Sequence, residues 1–279
     1  MKNILLLTDF SENSWNAIEF ALSYFKKARC NFYVLHVVES DVMFGADTPY
    51  VHNTGILEKA ISVEARKKME ALFKRIERLP YNAKHNFISL VDSNFFLNSI
   101  KEHIEEKNID LIVMGTKGAS GLKGFVIGSN TGDVITRVKC PSLIIPEDAQ
   151  YTKLKEIAFA TDYNLLYNAN ILDTLLELSV MNKAAIRVLH VAKRNEKLSS
   201  DQIENKELLQ GYFKDHEHSF HTVTNNKLEA AIECFTESRD VDMIAMVAKN
   251  INFFQQIFFR PTVETISYHT RVPFLVLHE

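Results

Sequence analysis

Cysteine is scarce: Cys30, Cys140 and Cys234 are the only three in 279 residues. They are far apart and odd in number, so they form neither a disulfide framework nor a zinc site, and they suit a reducing compartment. No apolar run reaches the roughly eighteen residues a membrane span needs. The first run, Ile4 to Leu7, is cut by Thr8 and Asp9. It is too short for a signal-peptide core, so a cytoplasmic chain with no membrane segment is expected. Basic excess is also missing. Lys and Arg number 32 against 35 Asp and Glu, a net charge of −3, which gives no electrostatic reason to hold nucleic acid. Glycine is sparse and uneven: six of the nine fall between Gly115 and Gly132, and only Gly211 lies beyond. What is present is ordinary. At 46% apolar and 24% charged the composition is that of a globular chain able to bury a core. The length is comfortable for two domains of about 140 residues.

Short apolar runs alternate with helical periodicity. Residues 3–8 are apolar without alternation, as in a strand buried on both faces. Ser11 is a good N-cap for a helix carrying Trp15, Ile18, Leu22 and Phe25. Strands follow at 32–38, 87–91, 111–114 and 143–145, and helices at about 56–79, 95–107 and 129–138. This order predicts a mostly parallel sheet between helices. The order then repeats. Residues 157–161 match 4–8, and both runs are followed by an acid and an aromatic, Asp9-Phe10 and Asp162-Tyr163. His190 matches His36. At an offset of 132, Asp110 falls on Asp242, Met114 on Met246 and Pro141 on Pro273. The chain therefore reads as two tandem open-sheet α/β domains, 1–147 and 154–279, each with a five-stranded parallel sheet. A polar linker occupies about 146–153. The longest non-repeated stretch, 39–55, reads equally as a binding loop or a packing insertion.

The glycine cluster carries the specific chemistry. Gly115, Gly118, Gly128 and Ser129 set a Gly-x2-Gly-x9-Gly-Ser frame between a predicted strand and a predicted helix. Glycines let a backbone approach an anion. Free amides and the dipole at a helix start favour negative charge. Ser129 and Thr131 add hydroxyls, and Lys117 and Lys123 add positive charge. In an open parallel sheet this is where ligands bind. Neither the P-loop pattern nor the dinucleotide Gly-x-Gly-x-x-Gly is present.

With Thr8-Asp9-Phe10-Ser11, Leu35-His36-Val37, the run Asp110 to Gly115 and this frame, the sequence resembles the universal stress protein family over its whole length, as a tandem pair. The resemblance implies a Rossmann-like fold and ATP binding, with Mg2+ accompanying the phosphates. It places Thr8, Asp9 and the backbone of Val37 near the adenine and ribose, and Met114 and Gly115 beside the nucleoside. Lys117, Gly118, Gly128, Ser129, Asn130 and Thr131 would lie along the phosphates. It also implies that the last strands of the two halves, around 143–145 and 274–277, pair as an internal pseudo-dimer, and that the chain can form a homodimer. Leu7 departs from the family, which often has proline there.

The second half lacks the frame. Gly115 becomes Val247, Gly118 becomes Asn250, Gly128 becomes Arg260, Ser129 becomes Pro261 and Thr131 becomes Val263. The loop there is apolar, with Phe253, Phe254, Ile257, Phe258 and Phe259. It could pack on its own sheet, join a subunit contact or take an apolar ligand. The run His216, His218 and His221 has no further ligand at metal spacing. The paired histidines His36 and His190 read as structural. The expectation is a stress-response sensor or regulator binding one ATP in the first domain. Two alternatives stand beside it: a slow ATPase or phosphoryl-transfer enzyme, for which no catalytic set is readable, and an interaction module built on the apolar loop.

Overall fold

The computed structural model describes residues 1–38, 54–116, 128–165, 167, 169–248 and 271–278. Residues 39–53 of the long loop, Lys117, Gly118 and Lys123, and the second half's Asn250, Arg260, Pro261, Val263 and apolar loop lie outside the described residues. The chain is α/β with a mixed open sheet. The described residues fall into two compact units, one within residues 1–140 and the other within Pro141–Glu279.

The first unit runs β1 (Lys2–Leu7), α1 (Glu12–Tyr24), β2 (Cys30–Val38), α2 (Thr54–Glu77), β3 (His85–Ser93), α3 (Phe96–Lys107), β4 (Leu111–Gly115) and α4 (Ser129–Arg137). Its strands lie in the order β3-β2-β1-β4, with β1 parallel to both β2 and β4, and β2 parallel to β3. The uninterrupted apolar runs have the predicted cause. Ile4, Leu5, Leu6 and Leu7 are all 5% exposed or less, which only a strand covered on both faces achieves. Asp110 fixes the register at the amino end of β1: its carboxylate accepts the Asn3 amide at 2.7 Å, and its own amide donates to the Asn3 carbonyl at 2.8 Å.

The second unit holds β5 (Ser142–Ile145), β6 (Glu156–Ala160), α5 (Ala169–Asn182), β7 (Ala185–Ala192), α6 (Ser200–Phe213), β8 (His218–Thr224), α7 (Leu228–Ser238), β9 (Met243–Val247) and β10 (Phe274–Leu277). The strands β10, β9, β6, β7 and β8 are parallel neighbours. β5 comes from the first sequence repeat. It runs antiparallel to β10, with Leu143 opposite Leu275, which makes the sheet mixed and groups β5 with the second unit. The Asp110 clip recurs at Asp242, whose carboxylate accepts the amides of Lys155 and Glu156 at 2.7 and 3.0 Å. That shared clip explains why this acid survives in both repeats. Among the described residues, no helix is long and apolar enough to cross a membrane.

Candidate functional site

Three segments converge where the strands of the first unit end. After β1, the Thr8 amide is held by the Leu35 carbonyl at 3.0 Å, and Thr8 Oγ1 accepts the Phe10 amide at 3.0 Å. This hydroxyl turn supports Phe10 in the left-handed region, at φ 64°. Asp9 Oδ1 accepts the Ser11 amide at 3.0 Å and the Ser11 hydroxyl at 2.5 Å. Ser11 in turn caps α1 by accepting the Ser14 amide at 3.2 Å. Local turn chemistry thus fixes the Asp9 carboxylate at the end of the sheet.

The second segment is the end of β2. His36 Nδ1 donates to the Thr8 carbonyl at 2.8 Å, and the Phe10 ring lies 4.3 Å from the imidazole. Burial lowers the His36 pKa, so the ring is neutral at physiological pH. A carbonyl only accepts, which puts the single ring proton on Nδ1.

The third segment joins β4 to α4. A Cβ on Gly115 would stand 2.8 Å from Asn13 Oδ1 of α1, so any larger residue would have to displace the Asn13 side chain. Thr131 Oγ1 donates to the Gly115 carbonyl at 3.0 Å, and the Gly128 amide donates to the Thr116 carbonyl at 2.8 Å. These two bonds pin the start of α4 to the end of β4. Gly128 has no side chain to cap the helix. The first amides of α4, like those of any helix, have no intrahelical acceptor and form the positive end of the helix dipole.

Together the segments enclose a cleft of about 210 Å³. Thr8, Asp9, Val37, Met114, Gly115, Asn130 and Thr131, all singled out in the sequence, line it. Gly128 and Ser129 open α4 beside it and are not part of its lining. Lys117 and Gly118 lie outside the described residues. The Thr131 hydroxyl is engaged with the Gly115 carbonyl, so it braces the site. Leu7, Ser14, His36 and Phe96 also line the cleft and were not among the predicted site residues. His36 had one signal in the sequence, its place beside Val37. Ser14 and Phe96 had none. A larger groove of about 650 Å³ lies near the start of β3, lined by Leu22, Ile76 and Phe87. Glu19, Glu77, Lys26 and Lys84 share its lining, so its charges select no single ligand sign.

The second unit builds the same turn and fills it. Thr161 Oγ1 accepts the Tyr163 amide at 2.9 Å, Tyr163 sits at φ 59°, and His190 Nδ1 donates to the Thr161 carbonyl at 3.0 Å. The partner of the threonine hydroxyl differs. Thr8 meets Ser14 at 3.0 Å, whereas Thr161 meets the hydroxyl of Tyr167, also six residues on. Tyr167 is 5% exposed, Tyr163 1% and His190 5%. From α6, Gln202 Nε2 donates to the Asp162 carbonyl and Asn205 Nδ2 to the Tyr163 carbonyl, each at 2.8 Å. The histidine run is tied locally: His218 Nδ1 donates to the His216 carbonyl at 2.9 Å, and His221 Nε2 bonds Ser219 Oγ at 2.7 Å.

Comparison with known proteins points one way. A model of the universal stress protein family matches residues 1–146. Universal stress protein A homolog 1 of Coxiella burnetii is 30% identical over 145 residues, 52% of this chain and 95% of that protein. A universal stress protein of Methanocaldococcus jannaschii is 28% identical over 144 residues, 52% of this chain and 81% of its own. In fold, a universal stress protein from Archaeoglobus fulgidus superposes with a TM-score of 0.69 at 18% identity, over 98% of this chain and 97% of that one.

Proposed function

The chain belongs to the universal stress protein family, and on that premise we propose that it binds one ATP per chain, in the first unit, and acts as a cytoplasmic stress-response sensor or regulator. The observation that carries the reading is the cleft of about 210 Å³ joining Asp9, Val37 and Met114 at the ends of β1, β2 and β4 with Asn130 at the start of α4. Its parts suit the halves of a nucleotide. Leu7, Val37, Met114 and Phe96 give apolar surface for a nucleoside, and Asp9 gives an acceptor for ribose hydroxyls. The start of α4 offers amides and positive dipole to phosphate. Mg2+ would enter with the phosphates, which supply its oxygen ligands.

Regulation follows from linkage. ATP at about 100 times its dissociation constant stabilises the bound form by about 2.7 kcal/mol. That is enough to shift a conformational or partner equilibrium. The second unit, closed over the matching turn, is read as the silent partner of the pair. The reading is tested by calorimetric titration with Mg-ATP. One site per chain, lost in Gly128→Arg, is expected. Two sites, or one that survives Gly128→Arg, would overturn it.

A further inference from the structure

We infer that α3 is a movable wall of the cleft, latched by the Asp92 carboxylate, and that an occupant of the cleft sets how firmly the latch is held. The occupant is the nucleotide proposed above, and the coupling rests on that reading.

Asp92 stands between two residues of the cleft. Near the end of β3 it pairs directly with Val37 of β2, and Phe96 follows as the first residue of α3. Val37 and Phe96 both line the cleft. One atom of Asp92 holds the helix. Its Oδ2 accepts the Ser99 hydroxyl and, at 2.8 Å, the His103 Nε2–H. Ser99 and His103 are spaced i, i+4 and so share a face of α3. A carboxylate accepts, so Nε2 carries a proton. The other ring nitrogen, Nδ1, is buried and has no hydrogen-bond partner among the described residues. Docked α3 thus keeps one polar atom buried and unpaired, a cost that undocking relieves.

Little else holds this helix. Of its twelve residues only Ser99 and Ile100 are buried, whereas α1 buries eight of thirteen. Ser11 caps α1, but Phe95 brings no side-chain cap to α3. The far end is anchored. Asn3 Nδ2 of β1 donates to the carbonyls of Lys107 and Asn108 at 2.8 and 3.3 Å, and Asn108 turns the chain at φ 49°. A helix fixed at its carboxyl end and held near its amino end by one carboxylate is a lever that pivots at Asn108. Few buried contacts place such an element among the first to open. Its moving end carries Phe96. A ligand that touches Phe96 favours the docked helix, so by linkage it suppresses opening.

Native-state hydrogen exchange of the full chain, read amide by amide with and without Mg-ATP, tests this. In the free protein, amides from Ile100 to Glu106 should be protected about tenfold less than those from Ile18 to Tyr24 in α1. Asp92→Ala removes both bonds to the carboxylate and should lower protection in α3 by about a further tenfold, with α1 unchanged. Asp92→Asn keeps an accepting oxygen and should fall between the two. Asp92 is not part of the cleft lining. While docked α3 remains the main form, the calorimetric affinity of Asp92→Ala for Mg-ATP should therefore stay within about threefold of wild type. In wild type, Mg-ATP at about 100 times its dissociation constant should raise protection in α3 by about tenfold. Phe96→Ala should abolish that gain. Equal protection of α3 and α1 in the free protein would overturn the latch. So would Asp92→Ala if its loss of protection spread evenly over α1 and α3. Calorimetric binding of Mg-ATP with no added protection in α3 would overturn the coupling and leave the nucleotide site standing. No binding at all would overturn the site and the coupling with it. The wild-type measurements need no variant, so they decide the matter even where a variant fails to fold.

Discussion

The two units share one turn after their first strands and differ in what meets its threonine hydroxyl. Both end their first strand in a threonine whose Oγ1 takes an amide two residues on, and both place an aromatic at positive φ beneath a histidine. Thr8 meets Ser14 in the first unit, and Thr161 meets the buried Tyr167 in the second. The Tyr167 hydroxyl keeps the threonine satisfied, and burial raises its pKa, so the buried group stays neutral. Each threonine hydroxyl is thus paired within its own unit.

Moving residues between the units probes this difference. Gly128→Arg, which copies Arg260 into the first unit, should do most damage. It should lower ATP affinity about a thousandfold, roughly 4 kcal/mol, by calorimetry. Next is Tyr167→Ala in the second unit. Removing a buried ring should cost about 3 kcal/mol, read as a lowered denaturant midpoint, and should not create a second ATP site. Third is Gly115→Val, which copies Val247. The new side chain meets Asn13, with Oδ1 2.8 Å from the added Cβ. It should cost about 2 kcal/mol by overpacking, and Asn13→Ala in the same chain should recover part of it.

A weaker dependence is expected on pH. His36 has its pKa lowered chiefly by burial and also by Lys68 of α2, while its bond to Thr8 and the Asp9 carboxylate pull it upward. Because the folded value lies below the unfolded one, the contribution of His36 to stability is fully present above about pH 6.5. It is lost as pH falls through the lower folded value, since there the unfolded chain binds more protons. His36→Asn should flatten that part of the stability curve. An unchanged slope would contradict the assignment.

Much of this was legible in the residues. Continuous apolar runs marked buried strands, and the repeated Asp110 and Asp242 marked strand starts held by carboxylates. The glycine frame marked the helix start that β4 and α4 now bracket. Gly115 is fixed by a contact with α1 as well as by any ligand, which spacing alone does not reveal. Tyr167 and Ser14 were not legible as a pair, because their match depends on a hydroxyl bond across a turn and not on any periodicity. Phe96 was hidden for a similar reason. It opens α3, and its place in the cleft follows from how that helix leaves β3. The histidines read as structural from their repetition. That holds for the bond each makes to its threonine carbonyl. It missed that His36 lines the cleft, because that depends on what the neighbouring elements leave uncovered.

Nucleotide, on this view, enters the first unit and finds the second closed. Hydrogen exchange of the full chain, with and without Mg-ATP, distinguishes the two directly. Slowed exchange is expected at Thr8 and Asp9, at Val37, at Met114 and Gly115, and from Ser129 to Thr131. No slowing is expected at Thr161, Val191 or Val247. Equal slowing at the second set, or none at the first, would show that the two units do not differ in the way proposed.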